Sequence, residues 1–318
     1  MKKNTSNERN LNVINALARP WALGPLLALA LTPSAAVVGA LESGAEFLNL
    51  DTGARAVAMG SAYTAASDGA NSLAYNPAGL ASAARPELGF THTSWLLDTT
   101  HDHIAAAMPA GGRVVVGVGY TRLASGGFEG RGADRSAAGG FTARDQAVTL
   151  GVGARGGALG YGAAVKYVES AIGGERAAAF AADVGVTRGV GGAVPVTLGL
   201  AVRNLGRPMR YLEQEDPLPL TVAAGALVSV IPGFGLALDV KRLVYDRKTV
   251  VSVGSEYGLM PGVALRAGYA ADGGRAGGTA GGVTLGAGVT VAGTQVDYGL
   301  VQAGELGGAQ RVTLRRKF

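Results

Sequence analysis

The residues whose types and spacing most invite chemistry are three histidines and their neighbours. His92, His101 and His103 stand close to Asp98 and Asp102, and imidazole with carboxylate is a donor set for zinc and other transition metals. His101 and His103, two apart, share one face of a strand, but no aligned second pair completes a tetrahedral set, so no metal is expected. Ser94 lies near His92, yet a hydrolase needs serine and histidine oriented by a third group. No catalytic residue follows. Gly151-Val152-Gly153-Ala154-Arg155-Gly156 fits G-x-G-x-x-G, but it leads from one strand-like run into another, without the helix N-terminus that holds a pyrophosphate. It reads as a turn, and no cofactor is expected.

The elements that would position such groups are unusual. Of 318 residues 52 are glycine, charged residues are 16% and aromatics 6%, which is not the profile of a soluble enzyme. Absence of cysteine removes disulfides, thiolate nucleophiles and cysteine metal sites. Mean hydropathy is positive, yet beyond the first 40 residues no apolar run reaches the roughly 20 residues of a membrane helix. The net charge of +5 is concentrated at the start: Lys2, Lys3, Arg9 and Arg19 oppose only Glu8, leaving 24 basic and 22 acidic side chains in the rest. That balance is no footprint for nucleic acid.

Residues 1–40 have three parts: a polar basic stretch, the short apolar core Trp21 to Leu31, and a small-residue tail ending Val38-Gly39-Ala40. This is the pattern of a secretory signal peptide, cleaved after Ala40 or Ala36. The mature chain then begins in an extracytoplasmic compartment.

From Glu87 the hydrophobic period becomes two. Val114, Val116, Val118 and Tyr120 share one face while Gly117, Gly119 and Thr121 share the other; the same alternation returns at 159–167, 180–187, 196–203, 236–241, 263–269 and 296–300. The runs are about 9 to 12 residues long, as tilted membrane strands require. Connections alternate in kind. Short Pro/Gly turns occur at Met108 to Gly112, Arg155 to Gly157, Ile231 to Gly233, Leu259 to Gly262 and Ala292 to Thr294. Longer polar segments occur at Leu123 to Arg144, Ser170 to Ala178, Asn204 to Pro219, Asp246 to Lys248, Asp272 to Gly277 and Ala303 to Gly308. Tyr120, Tyr167, Phe180, Tyr257, Tyr269 and Tyr298 fall on the apolar face as girdle residues would, and the chain closes on Phe318. The fold class is therefore all-β: a transmembrane antiparallel β-barrel of about fourteen strands over 87–318, in the outer membrane of a diderm bacterium. Closure pairs every backbone group without leaving an edge.

Between leader and barrel, residues 41–86 lack alternation and mix helix-like pieces with turn residues. Gly53 to Ala62 suits a short helix, Asp68 suits the cap of another, and Pro77 interrupts the chain. Low charge and many alanines point to packing, with glycines on the lumen side of the strands leaving room for an inserted segment. Here the motifs become specific. Ala45-Glu46-Phe47-Leu48, Gly53-Ala54-Arg55, Met59-Gly60, Ala70-Asn71-Ser72 and Asn76-Pro77-Ala78-Gly79-Leu80, followed by His92, Trp95 and Asp98, resemble the PorV/PorQ family of outer-membrane proteins, itself related to the FadL-like fatty-acid transporters. The match covers the N-terminal third. It implies a plug or hatch segment containing the Asn-Pro-Ala element, with gating residues Gly53, Arg55, Met59, Gly60, Asn71, Asn76, Pro77, Ala78, Gly79 and Leu80. Two functions follow from it: a PorV-like barrel that binds secreted proteins or type IX secretion components, or a FadL-like passive transporter of hydrophobic small molecules.

Inward-facing Lys166, Asp183, Arg203, Asp239, Lys241, Glu256, Arg266 and Asp297 read as a lumen lining of mixed sign. Such residues either pair with one another, clamp the plug, or select what passes. The loop Asn204 to Pro219, with Arg207, Arg210, Glu213, Glu215 and Asp216, is the candidate for contact with a protein partner outside.

Overall fold

The computed structural model describes residues 43–95, 99–131, 137–272, 282–302 and 308–318. The expected leader and Asp98 lie outside them.

Period-two patterning produces what it requires. Strands β1 (Glu87–Ser94), β2 (Thr100–Pro109), β3 (Val114–Arg131), β4 (Ala137–Gly156), β5 (Leu159–Ile172), β6 (Glu175–Val190) and β7 (Val196–Gly206) are followed by a small hairpin, β8 (Met209–Tyr211) and β9 (Gln214–Asp216). Then come β10 (Thr221–Ile231), β11 (Phe234–Leu243), β12 (Lys248–Met260), β13 (Val263–Asp272), β14 (Gly282–Val291), β15 (Thr294–Gln302) and β16 (Gly308–Lys317). All but β8 and β9 form one closed antiparallel barrel of 14 strands, sealed where Glu87 of β1 faces Lys317 of β16.

In β1, Glu87, Gly89, Thr91 and Thr93 point inward and Leu88, Phe90, His92 and Ser94 outward. Around the barrel the outward positions make an apolar belt, including Val116, Val118, Leu150, Val165, Leu200, Leu238, Leu285 and Leu314. Polar and small residues turn inward. A water-filled exterior would make this belt costly; lipid makes it favourable.

The polarity of Leu123 to Arg144 and of Ser170 to Ala178 predicts a long loop at each, and the structure differs at both. Pairing of β3 with β4 runs on to Glu129 opposite Gly140 and Arg131 opposite Ala137. β5 and β6 stay paired to Ile172 and Glu175, joined by Gly173 and Gly174, both at positive φ, a two-residue turn of the kind that suits hairpin twist. The polarity that suggested loops marks where the strands leave the lipid; the ladder continues because adjacent antiparallel strands still satisfy one another's backbone. The run Gly151 to Gly156 is likewise the end of β4 and not itself the turn.

Candidate functional site

The lumen is occupied by the chain's own residues 43–86. Helical pieces here are brief: 3-10 turns at Glu46–Asn49, Ala70–Ala74 and Pro77–Ser82, and one α-helix, Ala54–Ala58. Gly53, Gly60 and Gly69 bound them, and Pro77 starts the last with Asn76 as its cap. The Asn76 carboxamide accepts from the Ala78 N–H at 3.1 Å and donates to the carbonyls of Thr64 at 2.9 Å and Val186 of β6 at 3.3 Å. One side chain thus caps a turn, joins two parts of the segment and ties both to the wall. Leu73 and Leu80, fully buried, pack on Ala105, Ala107, Val115 and Ala164 of β2, β3 and β5. Met59 is buried with Tyr63, Tyr75 and Ala237.

The segment approaches the wall at backbone distance. Gly60, at φ +61, lies where a Cβ would sit 2.6 Å from the Tyr269 nitrogen, and at Gly199 a Cβ would be 2.7 Å from the Thr64 carbonyl oxygen. Its free N–H groups find partners on the wall: Ala54 donates to Thr313 Oγ1 at 2.9 Å, Gly60 to Thr284 Oγ1 at 3.0 Å, and Ala70 to the Glu87 carboxylate. The Tyr75 hydroxyl accepts from Thr52 and Gly53.

The eight predicted lumen charges divide evenly. Lys166 pairs with Asp183 at 2.7 Å and Arg266 with Asp297 at 2.8 Å, within the wall. The other four hold the segment. Asp239 Oδ2 accepts from the Tyr63 and Thr64 N–H groups, Lys241 donates to the Ser61 carbonyl at 2.5 Å, and Arg203 donates to the Ala74 carbonyl at 2.6 Å. Glu256 takes a two-pronged contact from Arg55, Nε to Oε2 at 2.8 Å and Nη2 to Oε1 at 2.9 Å. Arg266 also donates to Glu256 at 2.5 Å, so the wall pair and the segment are continuous.

Asp68 does not cap a helix, as its position suggested. The 3-10 turn that follows begins after Gly69 without a side-chain cap, and Asp68 instead joins Arg55 and Arg315 of β16, each at 3.0 Å, and accepts from the Tyr63 hydroxyl. Burial alone would raise its carboxyl, but the two guanidinium groups outweigh that and hold it well below the usual carboxylate range. Arg315 was missed in the sequence although its alternation with Arg311 and Thr313 puts it on the inward face.

Of the remaining predicted residues, Gly53, Asn71, Ala78 and Gly79 lie within the buried segment. His92 faces outward and bonds Asp102 at 2.6 Å, and Trp95 follows the end of β1. His101 and His103 are buried on the inner wall, His103 against Thr121. Among the described residues no three acidic or histidine groups converge as metal ligands.

Toward the loop end the lumen changes character. Ala147, Val168, Ala177, Ala179 and Ala181 line it, and Phe47, Met209 and Leu218 fill the space they bound. Phe47 comes from the N-terminal segment; Met209 opens the β8–β9 hairpin and Leu218 follows it, and the hairpin packs on β6 and meets Gly44 of the N-terminal segment through the Pro217 carbonyl. A one-residue bulge places it: Asp183 faces both Arg203 and Asn204, where β7 shifts register, and Asn204, at φ 61, donates its N–H to Asp183 and its side-chain amide to the Pro219 carbonyl. Below, a cavity of about 10 Å³ remains beside Arg55, Tyr63, Asn71, Tyr75 and Arg315, room for roughly one water.

A closed antiparallel barrel of 14 strands with short helices near the N-terminus is the fold of the FadL-like outer-membrane barrels of Gram-negative bacteria. Similar solved structures include the toluene transporter TbuX of Ralstonia pickettii, 14% identical over 85% of this chain and 99% of that one with a TM-score of 0.61. The toluene transporter TodX of Pseudomonas putida is 13% identical over 84% and 96% with a TM-score of 0.59, and a Pseudomonas aeruginosa FadL homologue 10% over 83% and 97% with 0.58. No family model and no curated protein matches the chain. Identities this low show the fold.

Proposed function

We propose that this protein is a passive outer-membrane channel for hydrophobic small molecules, closed at rest by residues 43–86 acting as its plug. The observation that carries the reading is the apolar chamber at the loop end. A wall of Ala147, Val168, Ala177, Ala179 and Ala181 makes the loop end of the lumen apolar, and Phe47 occupies it from the plug. An apolar cargo entering from the loops would meet these surfaces and compete with Phe47 for them. The toluene transporters among the similar folds support cargo of that class. Release of the plug then has to break the Arg55, Asp239 and Lys241 contacts, which makes the segment the gate. Hydrophobic-dye uptake by cells carrying the barrel in the outer membrane tests this. Uptake should exceed that of cells with an empty vector and rise further with Phe47→Ala, while a polar solute of equal size is unaffected. Dye uptake equal to the empty vector would refute the channel.

The PorV/PorQ resemblance supports a second reading, a barrel that binds secreted proteins, and one observation favours it. The β8–β9 hairpin presents Leu212, 75% exposed, at its tip among Arg210, Glu213 and Glu215. A pull-down from outer membranes with and without residues 207–217 separates the readings: a protein captured only by the intact hairpin supports partner binding.

A further inference from the structure

The short-turn rim of the barrel is polarised in a way that neither cargo passage nor plugging uses. Arg85, Arg113, Arg155, Arg188, Arg316 and Lys317 all lie there and all are exposed. They follow one another around adjacent strands, from β16 and β1 through the β2–β3 and β4–β5 turns to β6. No ion pair joins any of them to another described residue. The carboxylates nearest this end, Glu87, Asp297 and Glu256, point into the lumen and are bound there, Glu87 by the Ala70 N–H, Asp297 by Arg266, and Glu256 by Arg55 and Arg266. The charged side chains described on the arc are therefore all cationic. The loop end, by contrast, mixes signs: Glu175 beside Arg176, and Arg210 among Glu213, Glu215 and Asp216.

Over the opposite arc the same rim is apolar. Ile231, Leu259, Met260 and Val291 stand exposed at the β10–β11, β12–β13 and β14–β15 turns. Turns this apolar are costly in water, so this arc of the rim favours contact with lipid. The cations occupy the matching level on their side. Arg188 continues the outward row Val184 and Val186, and Arg316 continues Val312 and Leu314 beside Phe318. Arg316 Nη1 donates to the Ala292 carbonyl at 2.7 Å and to Thr294 Oγ1 at 2.6 Å, which keeps its guanidinium at the rim, and both arginines end outward apolar rows at the level where headgroup phosphates meet an apolar belt.

We propose that this arc is a binding surface for anionic phospholipid headgroups in the leaflet at the short-turn end, which is the periplasmic leaflet if the short turns face the periplasm as in other outer-membrane barrels. Continuity with the lipid-facing belt favours lipid over a soluble acidic protein as the occupant. Six cations in an arc attract anionic headgroups collectively, and the attraction weakens with salt.

The test reconstitutes the full barrel in nanodiscs of phosphatidylethanolamine with added phosphatidylglycerol and counts retained lipids by native mass spectrometry. Wild type should retain phosphatidylglycerol over phosphatidylethanolamine, with the preference falling as salt rises. Combined Arg113→Gln, Arg155→Gln and Arg188→Gln should reduce the enrichment by about fivefold or more, and the corresponding lysine substitutions should restore it. Heat-modifiable migration checks that each variant is a folded barrel. If the glutamine variant does not assemble, the salt dependence of wild type decides alone. A wild type with no headgroup preference overturns the proposal, as does a preference indifferent to both salt and the substitutions. Arginine-dependent capture of an acidic periplasmic protein, without lipid preference, would replace it with protein docking.

Discussion

Replacing Arg55 by alanine removes the centre of the contact between plug and wall. Arg55 holds Glu256 through two hydrogen bonds, Asp68 through a third and the Tyr63 hydroxyl through a fourth at 3.2 Å, and its guanidinium lies 5.5 Å from the Tyr63 ring centroid. Neither carboxylate is left bare, because Glu256 keeps Arg266 and Asp68 keeps Arg315. The side chain is also 20% exposed, which tempers each ionic contact. With charge-assisted hydrogen bonds contributing about 1.5 to 3 kcal/mol apiece and partial compensation by the remaining arginines, the closed state should lose about 3 kcal/mol. That is a factor of roughly 100 in the ratio of closed to open forms. Hydrogen exchange of the purified barrel reads it directly: amides of residues 54–80 should exchange faster by about that factor while those of β10 to β14 stay unchanged. A double-mutant cycle with Glu256→Gln should show the pair coupled. Protection of 54–80 within about twofold of wild type would refute the assignment of Arg55 as the latch, and equal loss in plug and strands would mean that the plug and barrel unfold as one unit.

Asn76→Ala loses a cap and two further buried hydrogen bonds, so the plug should be destabilised by about 2 to 4 kcal/mol and become cleavable by protease between 60 and 85 while the barrel survives; an uncleaved variant would contradict this. Gly199→Val puts a side chain against Thr64 and Ala65, so the barrel should assemble with its plug displaced and conduct ions in planar bilayers, a result that a silent bilayer would deny. Acid should affect the two ends of the plug oppositely. Asp68, held low, contributes stability above its ordinary value of 3.8 that is lost only as pH falls through the lower folded value. Its latch should therefore survive at pH 4. Glu46 is raised, first by burial, with Ser43 opposing and Asp246 adding. Its folded form prefers the proton, so docking of residues 43–50 should tighten as pH falls through the raised value and loosen above it, as proteolysis near Leu50 would reveal; an unchanged rate between pH 4 and pH 7 would contradict it.

The architecture was legible because strand alternation is local. Val114, Val116 and Val118 on one side and Gly117, Gly119 and Thr121 on the other need no knowledge of their neighbours, and the same holds for the inward placement of Lys166, Asp183, Asp239 and Arg266. Strand limits were legible only where a Pro/Gly turn ended them. At Leu123 to Arg144 the change from apolar to polar residues recorded the edge of the lipid, and only the observed pairing of β3 with β4 distinguished that edge from the end of the strands.

What each inward charge holds was beyond the sequence. Lys166 finds Asp183 on the adjacent strand, but Asp239 finds the backbone of Tyr63 and Thr64, and Asp68 finds Arg315 across 247 positions of chain. Partners of this kind depend on how closure and strand tilt rotate each side chain about the lumen, and on which inward positions are small enough to admit another backbone. The sequence alone determined a barrel with a segment set apart at its start. Only closure of that barrel around residues 43–86 decided that the segment packs into the lumen, that Glu87, Arg203, Asp239, Lys241, Glu256 and Arg315 of the wall grip it, and that Phe47 meets the apolar wall of Ala147, Val168 and Ala179.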